Sequence, residues 1–127
     1  MSWTKRVFCG LLAVAMILAG VSHFTMTDTF VAIVPDYLPM HREIVLVTGV
    51  LEILGGLGLL VPATRRMAAW ALIAFFIAVL PANIHQATHN LQPPGLEMSP
   101  TMLWVRLPLQ LVLIAWAWWM TRPDKRV

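Results

Sequence analysis

The feature that most constrains this chain is its division into four long apolar stretches, at 7–27, 44–61, 67–84 (extending toward 89) and 102–120, with most of the charge confined between them. Each stretch is close to the ~20 residues an α-helix needs to cross the hydrocarbon core of a bilayer. Lipid offers backbone amides no partner, so a spanning segment must bond itself internally as a helix or pair inside a closed barrel. The alternation of apolar and polar residues that marks barrel strands is absent here, which leaves helices. Composition agrees. Charged residues make up 12% of the chain, against ~25% in soluble domains. The expectation is one all-α domain over 1–127, an integral membrane four-helix bundle in contact with the lipid bilayer.

The charges also set an orientation. Lys5 and Arg6 precede the first stretch, Arg65 and Arg66 sit between the second and third, and Arg122, Lys125 and Arg126 follow the fourth. Four spans place these seven on one side. Arg42 and Arg106 fall toward the other, with the acids Asp28, Asp36, Glu43 and Glu97. An excess of Lys and Arg marks the cytoplasmic side, so both N- and C-termini are expected to be cytoplasmic. Trp3, Trp70, Trp116, Trp118 and Trp119 would then sit near the inner interface and Trp104 near the outer one. The net charge of +3 does not imply nucleic acid, because the basic residues form no face with interleaved aromatics. The N-terminal run resembles a signal peptide but lacks a sharp small-x-small cleavage site, and cleavage would put the basic tail outside. An uncleaved first helix is expected. The single cysteine, Cys9, can form neither an intramolecular disulfide nor a CxxC pair.

The connections differ in kind. "PATRR" (62–66) reads as a tight inner turn. The first outer loop (28–43) is too apolar for a solvated loop, and Phe30, Val31, Ile33 and Val34 suit a short interfacial element stopped by Pro35 and Pro39. The second outer loop (90–100) is rich in Pro and Gly and reads as irregular.

Few polar residues interrupt the apolar stretches. Glu52 stands within "TGVLEILGGLGLL". At helical spacing it shares a face with Val45, Thr48, Gly49, Gly55, Gly56 and Leu59, while Val47, Val50, Leu54, Leu57 and Val61 face the other way. Small residues allow close helix approach in membranes, so Glu52 is expected to face protein. His23 lies above Ala19 and Gly20. Arg106 and Gln110 share a face, as do Asn83, Gln86 and Asn90. Threading brings these groups to the outer half of the bundle, with Glu52 about 12 Å below the start of its span. Pro81 and Pro108 fall beside them and can kink their helices.

A charge at the centre of a span costs about 2.5–3.5 kcal/mol on insertion scales. Glu52 escapes that cost by protonation, by pairing with Arg106, or by facing water in a cavity. Two readings stay open: a structural Glu52–Arg106 ion pair, or a pocket for a small lipophilic ligand formed by Glu52, Arg106, Gln110, Asn83 and His23. A third candidate is a metal or haem site, since His85 and His89 have the i, i+4 spacing that sets two imidazoles on one ion and His23 and His41 lie on the same side. No Ser/His/Asp triad, phosphate loop or HExxH motif occurs.

The segments "AGVSHF", "FVAIVPDYLP", "GVLEILGGLGLL", "AVLPANIHQA" and "LWVRLPLQ", in this order over residues 19–120, resemble the DoxX-like family of small bacterial membrane proteins. The matching positions include His23, Pro35, Pro39, Gly49, Glu52, Gly55, Gly56, Pro81, Asn83, Arg106, Pro108 and Gln110. The resemblance implies a four-helix bundle in the bacterial inner membrane. It also implies a link to quinone-coupled sulfur-compound oxidation or to thiol and oxidative-stress complexes, with quinone as the cofactor to consider and a second copy or a redox protein as partner. Most DoxX-like proteins have no assigned activity, so enzymatic function is not inherited from the resemblance. A non-catalytic interaction subunit is the remaining alternative.

Overall fold

The computed structural model describes residues 1–92 and 98–123. Glu97, Lys125, Arg126 and the Pro/Gly-rich centre of the second loop lie outside the described residues. Five helices follow one another: α1 (Trp3–Thr25), α2 (Thr27–Val31), α3 (His41–Leu60), α4 (Arg65–His89) and α5 (Pro100–Thr121). No strand occurs among the described residues. The four longer helices are each long and apolar enough to cross a membrane.

Local chemistry accounts for the helix boundaries. Ser2 caps α1 by accepting from Lys5 N at 3.1 Å, and Ser99 caps α5 by accepting from Met102 N at 3.2 Å, with Pro100 in the first turn of α5. α1 ends at Thr25, short of the expected 27, because the chain restarts a helix at Thr27, whose hydroxyl donates back to His23 O at 2.7 Å. α3 starts at His41 rather than 44 and α4 runs through Pro81 to His89. Neither Pro81 nor Pro108 ends its helix. Asn90 closes α4 in the left-handed conformation (φ 48°) that Asn tolerates at a helix end. At the 61–64 turn, Thr64 Oγ1 donates to Gly58 O at 2.9 Å and Arg65 Nε to Leu59 O at 2.7 Å, satisfying carbonyls that α3 leaves open.

The long helices alternate in direction, so the start of α1 and the end of α5 lie together. Lys5 Nζ donates to Arg122 O at 2.9 Å and Trp116 Nε1 to Phe8 O at 3.1 Å. Each helix packs on two neighbours around the bundle, α1 on α3, α3 on α4, α4 on α5 and α5 on α1, while α3 and α5 sit across it with no Cα pair within 8 Å. The α1–α3 seam is the closest because glycines line it. A β-carbon at Gly20 would stand 2.5 Å from Gly49 O, and one at Gly56 2.7 Å from Ala13 O. The faces of α3 divide much as its periodicity predicts: Val45, Gly49, Glu52, Gly55, Gly56 and Leu59 are buried and Thr48 half-buried, while Val47, Val50, Leu54 and Leu57, with Val61 just past the helix, are exposed.

The two halves of the bundle are filled differently. In the half near the termini, Cys9, Leu12, Ala13, Leu59, Ala69, Leu72, Ile73, Ala117 and Met120 form a continuous apolar core. In the loop half, the helices surround a cavity.

Candidate functional site

The cavity measures about 340 Å³, within the range of small-molecule sites. Met16 and Phe76, the last residues of the apolar core, also line it. On the loop side, residues 30–38 fold over it: Phe30, Ile33, Val34, Pro35 and Leu38 line the space, and Pro35 is fully buried. The apolar character of this loop therefore has a structural reason. Part of it is helical, as α2, and it covers the cavity. His23, Glu52, Asn83, Arg106 and Gln110 all line the cavity, so the five predicted pocket residues come together.

They form two unlike walls. On the α4–α5 wall the polar groups satisfy one another. Gln110 Nε2 donates to Phe76 O at 3.0 Å, and its Oε1 accepts from Asn83 Nδ2 at 3.4 Å. Gln86, only 2% exposed, accepts from Arg106 Nη1 at 2.8 Å and donates to Leu91 O at 3.2 Å. The planar guanidinium presents five N–H groups, so one bond to Gln86 leaves donor capacity on the cavity side.

The α1–α3 wall holds an acid and an imidazole. Glu52 is buried, and its carboxylate oxygen Oε2 has no hydrogen-bond partner, standing 3.6 Å from His23 Nε2. His23 Nδ1 lies 2.9 Å from Val45 O and 3.1 Å from Thr48 Oγ1. A carbonyl only accepts, so the contact with Val45 puts a proton on Nδ1. A neutral ring then has a bare Nε2, which would point a lone pair at an ionised carboxylate. Nε2 thus faces Glu52 Oε2 across 3.6 Å with no hydrogen bond between them.

Of the readings left open for Glu52, the ion pair with Arg106 does not form. Its nearest ionisable neighbour is His23, and no ion pair joins it to Arg106 among the described residues. The glycine seam brings α1 against α3, whereas α5 lies across the cavity. Gly49 permits this approach, since a β-carbon there would meet His23 Cβ at 2.7 Å.

The histidines do not converge. His85 and His89 stack on each other with ring centroids 4.0 Å apart, and His89 Nδ1 faces His85 O at 3.0 Å. Tyr37 packs edge-on against His85 at 5.3 Å, and the His23 ring lies against Phe30 at 4.4 Å. Among the described residues, no group of three His, Cys, Asp or Glu side chains is placed to hold a metal ion. Cys9 is buried near the terminal end, its thiol 3.4 Å from Leu59 O.

A family model described as Domain of unknown function (DUF8561) matches residues 12–121. The chain belongs to the DUF8561 family. The DUF8561 match spans all the residues that line the cavity. No curated protein and no solved structure matches the chain.

Two members of the site do not stand out from sequence. Gln86 shares a helical face with Asn83, which is the available signal, but only the packing of α4 on α5 makes it the partner of Arg106. Thr48 lies one turn before Glu52 and contacts His23 once the seam closes.

Proposed function

We propose that this DUF8561 protein is a multi-pass protein of the bacterial inner membrane that binds a small amphipathic molecule, its polar head in the cavity between Glu52 and Arg106. One observation carries the reading. Glu52 Oε2 is a buried acceptor with no partner on the wall of a 340 Å³ cavity, while the amide groups opposite it are paired. A buried polar atom without a partner is destabilising by about 1–3 kcal/mol, and a ligand N–H or O–H removes that cost. Arg106 faces the same space with donors for an acceptor on the ligand. The head is therefore expected to carry both, as a quinone in its protonated forms or a hydroxylated lipid head does. His23, 3.6 Å from Glu52, lines the same end of the cavity.

The basic residues Lys5, Arg6, Arg65, Arg66 and Arg122, before α1, at the α3–α4 turn and after α5, support a cytoplasmic side for both termini. The ordered DoxX-like segments support a role beside a membrane redox or stress-response system. Gentle purification followed by organic extraction and mass spectrometry tests the proposal. A stoichiometric amphiphile is expected from the wild type and should be lost from Glu52→Gln and Arg106→Ala. If those variants fold normally and retain it as the wild type does, the proposal is wrong.

A further inference from the structure

A second cavity of about 720 Å³ lies along the outside of α3 and α4. It starts beside the 61–64 turn, at Thr64 and Met67, and runs to Leu38 and Ala82 at the loop end. Met67 to Ala82 is about 22 Å of helix at 1.5 Å per residue. The groove exists because α4 presents alanines to it: Ala68, Ala71, Ala74, Ala78 and Ala82. α3 packs closely on α4 beside it, with a β-carbon position at Gly58 2.7 Å from Ala68 Cβ and one at Gly55 2.6 Å from Leu72 Cδ2.

The groove is not isolated. Leu38, Ile44, Thr48, Phe75, Val79 and Ala82 line both it and the polar cavity. The two spaces therefore meet between α3 and α4, at the level of Thr48, one turn from Glu52. The groove itself is nearly all apolar: its polar side chains are Thr48 and Thr64, whose hydroxyls donate to carbonyls of α3. Over the loop side of the polar cavity, residues 30–38 form a cover. A molecule whose head meets Glu52 thus has an apolar channel leading away from it, sideways and toward the opposite face of the bilayer.

Resting on the head-pocket reading above, we infer that the α3–α4 groove seats the hydrocarbon tail of the same molecule, which enters the polar cavity sideways from the bilayer between these two helices. The ligand class is then a single-tailed amphiphile with a small head that both donates and accepts hydrogen bonds. A tail in this groove takes the place of bulk lipid there, and the head needs no water-filled route to reach its place. A head without a tail would bind the cavity and leave the groove to bulk lipid.

Methyl, octyl and hexadecyl esters of 4-hydroxybenzoic acid supply one head with tails of increasing length. Binding is read with the full chain in nanodiscs, as the bound fraction at equal membrane concentration of each ester. Ala71 and Ala74 line the groove but not the polar cavity, and both are exposed. Ala71→Phe and Ala74→Phe fill the groove there. Octyl and hexadecyl binding should fall about ten-fold or more, while methyl binding stays at the wild-type level. Ile77→Phe, exposed on α4 but lining neither cavity, should change nothing. A diazirine at the tail end of the hexadecyl ester should crosslink near Thr64–Ala71. Unchanged binding of the long esters to Ala71→Phe and Ala74→Phe overturns the groove assignment and leaves the head pocket standing. Failure of all three esters to bind the wild type overturns the head-pocket reading and this inference with it.

Discussion

Replacing Gly20 by Ala tests the contact on which the site depends. Gly20 faces Gly49 across the α1–α3 seam. A methyl group at Gly20 would stand 2.5 Å from Gly49 O, 2.6 Å from Ile53 Cγ1 and 3.0 Å from Ile53 N. Two of these atoms belong to the backbone of α3 and cannot rotate aside. Ordinary contact begins at 3.4 Å, so the helices must part by about 0.9 Å. Over-packing of this kind costs about 1–3 kcal/mol. An exchange of Gly for Ala also changes helix propensity, by ~0.5–1 kcal/mol in favour of Ala. Gly10, on the same helix, has nothing within 4 Å of the place a β-carbon would occupy and so supplies the control. Gly20→Ala and Gly10→Ala share the propensity term, and their difference isolates the clash. Unfolding of each variant in mixed micelles with increasing dodecyl sulfate, followed by tryptophan fluorescence and far-UV circular dichroism, measures it. Gly10→Ala should match or exceed the wild type, and Gly20→Ala should fall below Gly10→Ala by about 1–3 kcal/mol. Parting the seam also draws His23 away from Glu52, so ligand retention should drop in parallel. Equal stability of the two variants would refute the close approach of α1 and α3.

The α4–α5 wall and the terminal core make separate predictions. Gln86→Ala leaves Leu91 O and an Arg106 N–H without partners and should destabilise the fold by about 1–3 kcal/mol in the same assay. A larger loss for Gln86→Ala than for Asn83→Ala is expected, because the Asn83 bond is longer, at 3.4 Å. Cys9 is 3% exposed and packed among Leu12, Leu59 and Met120. A water-soluble maleimide should therefore leave it unlabelled in folded protein and label it fully after denaturation. Rapid labelling of the native protein would contradict the packing of the terminal half.

Much of the helical scaffold was legible from residue order because each decision was local. Apolar length marked the four long helices, and the small-residue stripe of "TGVLEILGGLGLL" separated the buried from the exposed face of α3 residue by residue. Less legible was the path of 26–40. Its apolar residues pointed to a short interfacial element; a short helix, α2, forms there, and Phe30, Ile33, Val34 and Pro35 also line the cavity, with Phe30 on His23 and Pro35 buried. That outcome depends on a space beneath the loop, which no local pattern encodes.

Sequence by itself determined which groups could meet: a carboxylate, an imidazole, a guanidinium and several amides, carried at one end of four apolar helices. Only the tertiary structure decided how they are partnered. Opposite charge favours Glu52 with Arg106, but the glycines let α1 approach α3 until His23 reaches Glu52 first. Arg106, held on α5 across the bundle, turns to Gln86 instead. The cavity lies between the two walls, with Glu52 Oε2 unpartnered on one of them. Pairing strength falls with distance and burial penalises a stranded charge, so the closest helix seam, rather than the largest charge difference, selected the partner.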